Sequence, residues 1–303
     1  MTVLKKKIGM LILWIVLSAL MGAGIVFSEK YSFPLGAVIA GALIAIFIEK
    51  VWKAGEDLFD TTNWMVSQTK LKRGGLINDD TIIRISFSYL YRMKIGDKYF
   101  LVLNKRTRKY QPVGGVYKFQ ESEKLELKNS FHVADDNKIQ IDNSSRDDYR
   151  LRLQNKFLRD FIKRFDSTDA VRERIDNVGR EFKEELIETG ILNWEKISYR
   201  YCGRHITDLR FSEHFQIYEV LLYDVVELIP APDQEQDLKH LIQTENEKYR
   251  FASADQVTCL GMNTDVGELF EWIGDHTKCT LEENEAKLMK MPGVGKIYEA
   301  NLK

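Results

Sequence analysis

Two uncharged apolar runs stand almost end to end at the start of the chain, and no other feature restricts its fold as much. Residues 8–27 and 31–48 carry no charged side chain. At 1.5 Å per residue each run is about long enough to cross a hydrocarbon layer of roughly 30 Å. In lipid such a segment satisfies its backbone as a helix, so two transmembrane helices are expected. The connection, residues 28–32, is short, and Pro34 suits the first turn of the second helix, which makes the pair a hairpin. Lys5, Lys6 and Lys7 flank one end and Lys50 and Lys53 the other, against Lys30 in the connection. That bias places both termini in the cytoplasm. A cleavable signal peptide competes for the first run, because three lysines resemble its charged start. The length of the run and the presence of a second one oppose it. Small residues at Gly22, Gly24, Gly36, Ala40, Gly41 and Ala45 permit close helix packing in lipid. The absence of charge at membrane depth argues against a pump or transporter.

Beyond residue 50 the composition turns polar and charged. Residues 51–79 read as a juxtamembrane helix and linker ending at a Gly74-Gly75 hinge, and residues 80–303 as one cytosolic domain. A formal net charge of −1 gives no reason to expect a duplex nucleic acid partner. Cys202, Cys259 and Cys279 lack paired spacing, so neither a zinc knuckle nor a disulfide framework is indicated. The five histidines show no H-x-x-x-H spacing.

Within the domain, "TIIRISFSYLYRM" alternates as a strand, "IGDK" is a turn, and "YFLVLNKR" is the expected hairpin partner. Gly114 and Gly115 in "YQPVGGVYKF" permit a close backbone approach. Residues 121–146 read as an exposed insertion, part of a larger one over about 120–168. Tyr149, Leu153, Phe157, Phe161 and Phe165 recur every four residues, which predicts a helix with an aromatic stripe. Arg152, Lys156, Arg159 and Lys163 share another face of that helix, a basic stripe able to receive phosphates. Helices are expected again from about residue 264.

The densest chemistry lies in "VGREFKEELIETGIL", residues 178–192. Ile175, Val178, Phe182 and Leu186 give the buried face of a helix, and Glu181, Glu184, Glu185 and Glu188 fall in one arc beside it. Like charges this close repel. Arg180 can answer Glu184 but not all four, and a hard divalent cation, Mg²⁺ or Mn²⁺, is the natural oxygen-seeking partner. A solvated acidic face is the competing reading.

The order of parts, a strand pair, then "PVGG", then "REFKEE" followed by "TGI", resembles the Nudix family, whose box reads G-x5-E-x7-R-E-U-x-E-E-x-G-U with U a bulky aliphatic. The resemblance implies an α/β (α+β) domain, a mixed sheet sandwiched between helices, behind the membrane hairpin. It implies metal held by Glu181, Glu184 and Glu185, oriented by Arg180, with diphosphate hydrolysis as the reaction. Two departures stand out. Gly115 and the helix are separated by about fifty residues instead of a few, with Arg172 in the slot of the first box glutamate and Glu173 a substitute one register step away, and "LIET" replaces the single residue before Gly190.

A Nudix domain behind a membrane hairpin is similar to the effectors of bacterial cyclic-oligonucleotide anti-phage systems (CBASS). That resemblance implies a cytosolic sensor of a cyclic oligonucleotide at the bacterial inner membrane. Copies of the chain would oligomerise so that the spans compromise the bilayer. Candidate ligand contacts are Gly114, Gly115, Tyr110, Arg159 and Lys163. The alternative is a membrane-tethered, metal-dependent hydrolase of nucleoside diphosphates linked to another moiety.

Overall fold

The structure, a computed structural model, describes residues 3–31, 34–59, 63–139, 145–244, 246–263, 268–269 and 272–303. Parts of the expected linker, insertion and C-terminal segment lie outside these. The chain divides into two compact units, Met1–Val66 and Ser67–Lys303.

In the first unit, α1 (Val3–Lys30) and α2 (Pro34–Phe59) lie side by side. The Trp14 and Phe47 rings meet at 5.8 Å. A Cβ on Gly24 would sit 3.8 Å from that of Ala40, so small residues do bring the two helices together. Leu13, Val16, Leu20, Val38, Ile39 and Ile46 are exposed, an outward apolar surface foreign to a water-facing helix pair. Of the two expected spans, one, Ile8–Ser28, is long and apolar enough to cross a membrane among the described residues.

The second unit is an α/β domain with a mixed sheet. After α3 (Asn63–Arg73) come β1 (Ile82–Arg92), β2 (Lys94–Ile95), β3 (Lys98–Leu103), β4 (Tyr110–Gln111), β5 (Gly114–Val116) and α4 (Glu121–Phe131). There follow β6 (Ala134–Asp135), β7 (Arg150–Gln154), α5 (Leu158–Asp166), α6 (Gly179–Phe182), β8 (Lys196–Ile206), β9 (Arg210–Ser212) and β10 (Ile217–Leu228). The chain closes with α7 (Pro232–Leu241), β11 (Tyr249–Ser253), α8 (Ala254–Thr258), β12 (Met262–Asn263), β13 (Glu268–Leu269) and β14 (Ile297–Asn301). The larger sheet runs β14-β8-β10-β1-β7-β6, with β5 also on β1 and β9 on β10; β1 and β10 are parallel and β1 and β7 antiparallel. The smaller sheet is β11-β3-β2 with β4 on β3.

β1 explains the layering. Its odd positions, Ile83, Ile85, Phe87, Tyr89 and Tyr91, are all buried. Phe87 packs on Tyr149, Phe161 and Phe165, and Tyr91 on Phe182 and Tyr199. The even positions face the other way, as strand alternation requires. There Arg84 donates to Asp136 and Glu219 at 2.7 and 2.8 Å, and Arg92 donates to the Thr280 carbonyl at 2.6 Å and to Glu285 at 2.5 Å. Between the two arginines this face carries only Ser86, Ser88 and Leu90.

Several expectations are corrected. "YFLVL" is not the hairpin partner of β1. The chain leaves the larger sheet at Met93, and β3 pairs with β2, β4 and β11 in the smaller one. Gly96, with φ of +60°, makes the expected turn. Residues 150–154 are strand, because a spacing of four satisfies a period of two as well as 3.6. Leu151, buried between Tyr149 and Leu153, reveals the shorter period. The helix therefore starts at Leu158, and the four-cation stripe does not form. The presumed exposed insertion contains α4, which buries Glu123, Leu127 and Phe131. A glutamate in the stripe hid it: Glu123 accepts from Arg164 at 2.7 and 3.0 Å and from the Val171 amide at 3.0 Å. The C-terminal segment holds 3₁₀ turns at Asp275–Thr280 and Glu282–Lys287 and ends as a strand.

Candidate active site

Gly114 and Gly115 sit on β5 directly against α6, and each is glycine for a spatial reason. Gly114 has φ of +153°, and a Cβ there would collide with the Tyr89 carbonyl oxygen. A Cβ on Gly115 would overlap the Glu181 carboxylate, which fills that space. The Gly114 amide donates to Glu185 Oε2 at 3.1 Å, so the glycine pair and the acidic helix form one wall.

The helix is not uniformly α. From Lys183 to Ile187 it widens into a π turn, closed by Glu188 N donating to Lys183 O at 2.9 Å. Such bulges insert a residue without breaking the helix and cluster at functional sites. The unexpected length of "LIET" is taken up there and in the turn at Gly190, whose φ is +72°. Val178, Phe182 and Leu186 are buried as expected, while Ile175 lies before the helix.

Arg180 organises the acidic side chains. Nη1 donates to Glu181 at 2.6 Å and pairs with Glu184 at 3.5 Å; Nη2 donates to the Val116 carbonyl at 2.8 Å and to Glu173 at 3.2 Å. Glu173 also accepts from the Tyr89 hydroxyl and the Lys118 amide, both at 3.3 Å. Glu173, one residue beyond the slot that the spacing assigns to Arg172, is thus the carboxylate paired with Arg180. The Arg172 guanidinium instead lies 3.6 Å from the centre of the Phe165 ring.

The balance of charge is uneven. Burial, and then the charge of Glu181, push the Glu185 carboxyl up to about 8 against the donation from Gly114. Burial also raises Glu181, against the pull of Arg180. One arginine does not neutralise the group, and the donors are all oxygen, which fits a hard divalent cation. As they stand, no three ligating side chains among the described residues converge on a cation position. The Arg180 Nε, buried, has no hydrogen-bond partner.

These carboxylates edge a cavity of about 1000 Å³. Glu181, Glu184, Glu185 and Glu188 line it with Gly114 and Gly115, and Lys105, Arg106 and Arg108 come from the β3–β4 loop. Asn104 shapes that loop by accepting from the Arg106 and Thr107 amides at 2.9 and 3.1 Å. Sequence reasoning passed over this cluster, whose signal is the basic run "NKRTRK" between two strands. Three expected ligand residues lie elsewhere. Tyr110 is buried and donates to the Glu247 carbonyl at 2.9 Å; Arg159 donates to Gln68 at 3.1 Å; Lys163 shares α5 with Arg159, away from the cavity lining.

A family profile described as SMODS-associated NUDIX domain matches residues 82–281, two thirds of the chain and all of the site. The chain belongs to this Nudix family. Two solved structures are similar to the Nudix chain at low level. One is a UDP-X diphosphatase, 10% identical over 93% of this chain and 95% of that one, with a TM-score of 0.27. The other is a NUDIX-family hydrolase from Clostridium perfringens, 13% identical over 70% and 99%, with a TM-score of 0.19. No curated protein matches. The Nudix assignment thus rests on the profile match over residues 82–281.

Proposed function

We propose that this protein is a membrane-anchored effector whose Nudix cavity captures a cyclic oligonucleotide and whose N-terminal helices carry the response into the bilayer. The observation that carries the reading is the union, in one chain, of a SMODS-associated Nudix domain with the apolar helix Ile8–Ser28. A hydrolase of small soluble nucleotides has no need of such a leader. In this reading α1 and α2 both cross the bacterial inner membrane with the termini in the cytoplasm, as the flanking lysines favour. Ligand capture changes the assembly of the copies, and the small-residue faces let the spans cluster and compromise the bilayer.

The cavity suits a polyanion of that size. Arg180 holds Glu181 and Glu184 in place, Gly115 leaves room for the Glu181 carboxylate, and the Gly114 amide fixes Glu185. Mg²⁺ or Mn²⁺ held by Glu181, Glu184 and Glu185 would supply the positive charge that draws phosphate oxygens to this wall. Lys105, Arg106 and Arg108 offer further phosphate contacts from the facing loop.

A second reading, a tethered Nudix hydrolase of nucleoside diphosphates linked to another moiety, is favoured by the Glu173–Arg180 pair, which adds a carboxylate one residue from the slot of the first box glutamate. Liposomes carrying the whole chain separate the two. Dye release on addition of a cyclic di- or trinucleotide, with the nucleotide recovered intact, is the expected result. Mg²⁺-dependent cleavage of UDP-sugars or dinucleoside polyphosphates, lost in Glu184→Gln and Glu185→Gln and with no dye release, would replace the effector with the hydrolase.

A further inference from the structure

Arg150 enters the same cavity from β7, in register with Ser86 on the central strand. Its side chain is 20% exposed, and its one ion pair among the described residues is with Asp148 at 3.7 Å, beyond hydrogen-bonding distance. Asp148 is itself engaged by Lys118 at 3.0 Å. Burial lowers the Arg150 pKa, and Arg84 and Arg106 act in the same direction against Asp148 and Asp136. Arg84 and Arg92, on the same face of the sheet, each find a carboxylate within 2.8 Å. Buried guanidinium groups are ordinarily paired in that way. Arg150 is short of an anion.

Across Ser88 stands Tyr223, its register partner on β10. The Tyr223 ring lies 6.3 Å from His205 at 22° and 5.9 Å from His276 at 15°, a stack of three nearly parallel rings. Tyr223 and His276 line the cavity. Burial pushes the His276 imidazole down to about 4, so near pH 7 the ring is neutral and offers a flat surface without charge. Such surfaces suit nucleobases. The Tyr223 and Ser86 hydroxyls make no hydrogen bond among the described residues. The two serines keep the floor between the arginine and the rings low.

We propose that this floor is a nucleotide subsite separate from the carboxylate helix: Arg150 receives a phosphate or phosphodiester, and the Tyr223–His276 stack receives the base. The inference rests on the cavity being a nucleotide site, and adds that recognition at the floor needs no metal. A ligand spanning floor and helix carries at least two phosphates.

The test uses the whole chain in detergent micelles with EDTA and adenosine 5′-monophosphate as probe, followed by calorimetry and saturation-transfer NMR. Wild type is expected to bind saturably, with transfer to the adenine protons and competition by inorganic phosphate. Arg150→Met should weaken binding about tenfold or more, the usual scale for a lost charge-assisted contact, and Arg150→Lys less. Tyr223→Leu should abolish transfer to the base. Thermal melts show that each variant is folded. Unchanged affinity in folded Arg150→Met, or no binding by wild type in EDTA, overturns the subsite. Cyclic-nucleotide capture by wild type with Mg²⁺ would then leave the effector reading standing, and its absence as well would remove both.

Discussion

Gly114 and Gly115 are neighbours, yet substituting them has different consequences. At Gly114 the obstacle is the Tyr89 backbone and the positive φ, neither of which can yield. Gly114→Ala is expected to cost about 3 kcal/mol or more, read as a fall in denaturation midpoint. At Gly115 the obstacle is a carboxylate that can rotate away. Gly115→Ala should leave the fold within about 1 kcal/mol of wild type but weaken Mg²⁺ and nucleotide capture, which calorimetry would show. Glu185 adds a pH signature. Its folded value of about 8 exceeds the ordinary 4.5, so between these limits the unfolded chain releases a proton the folded one keeps. Stability therefore falls as pH rises from about 4.5 to 8, and the loss is complete above that. Glu185→Gln, which retains an acceptor for the Gly114 amide, should stabilise the metal-free protein at pH 8.5 by on the order of 3 kcal/mol and hardly at pH 4.5, by paired melts. Arg180, Glu181, Glu184 and Glu185 were legible because a motif has fixed spacing. Glu173 was offset by one residue, and only its hydrogen bonds to Arg180, Tyr89 and Lys118 identify it.

Elements were legible where one period dominated. β1 read directly as a strand, and Val178, Phe182 and Leu186 as a buried helical face. The segment around Tyr149 misled because four is a multiple of two, and α4 stayed hidden because its buried stripe starts with an ion-paired glutamate. The π turn at Lys183–Ile187 was invisible for another reason: nothing in "KEELI" distinguishes an i→i+5 bond from an i→i+4 bond. The turn sets the spacing between the helix and Gly190. Deleting Ile187 should convert it to α geometry and move Glu188 and Gly190 relative to the cavity. Reduced nucleotide capture, with a melting temperature within a few degrees of wild type, is the expected result, measured side by side in the same micelles.

At the scale of the whole molecule, the greasy leader was plain from composition, and the mixed α/β domain was implied by the resemblance of its parts to a known family. The assignment of strands to two sheets was not, since it depends on the chain changing layers at Met93. Residues 67–303 form a unit of their own. A chain beginning at residue 63, which keeps α3, is expected to fractionate away from membranes while still capturing nucleotide, whereas the full chain should resist alkaline extraction. β1 bears a wider consequence. Its odd side chains supply the aromatic core, and its even ones supply two ion-paired ends around a serine floor. Folding and recognition are thus assigned to opposite sides of one strand. On the proposed reading, changes at positions 86 and 88 would alter which ligand the floor accepts while leaving the hydrophobic interior intact, so a lineage under pressure to bind new ligands has a route that does not pass through misfolding.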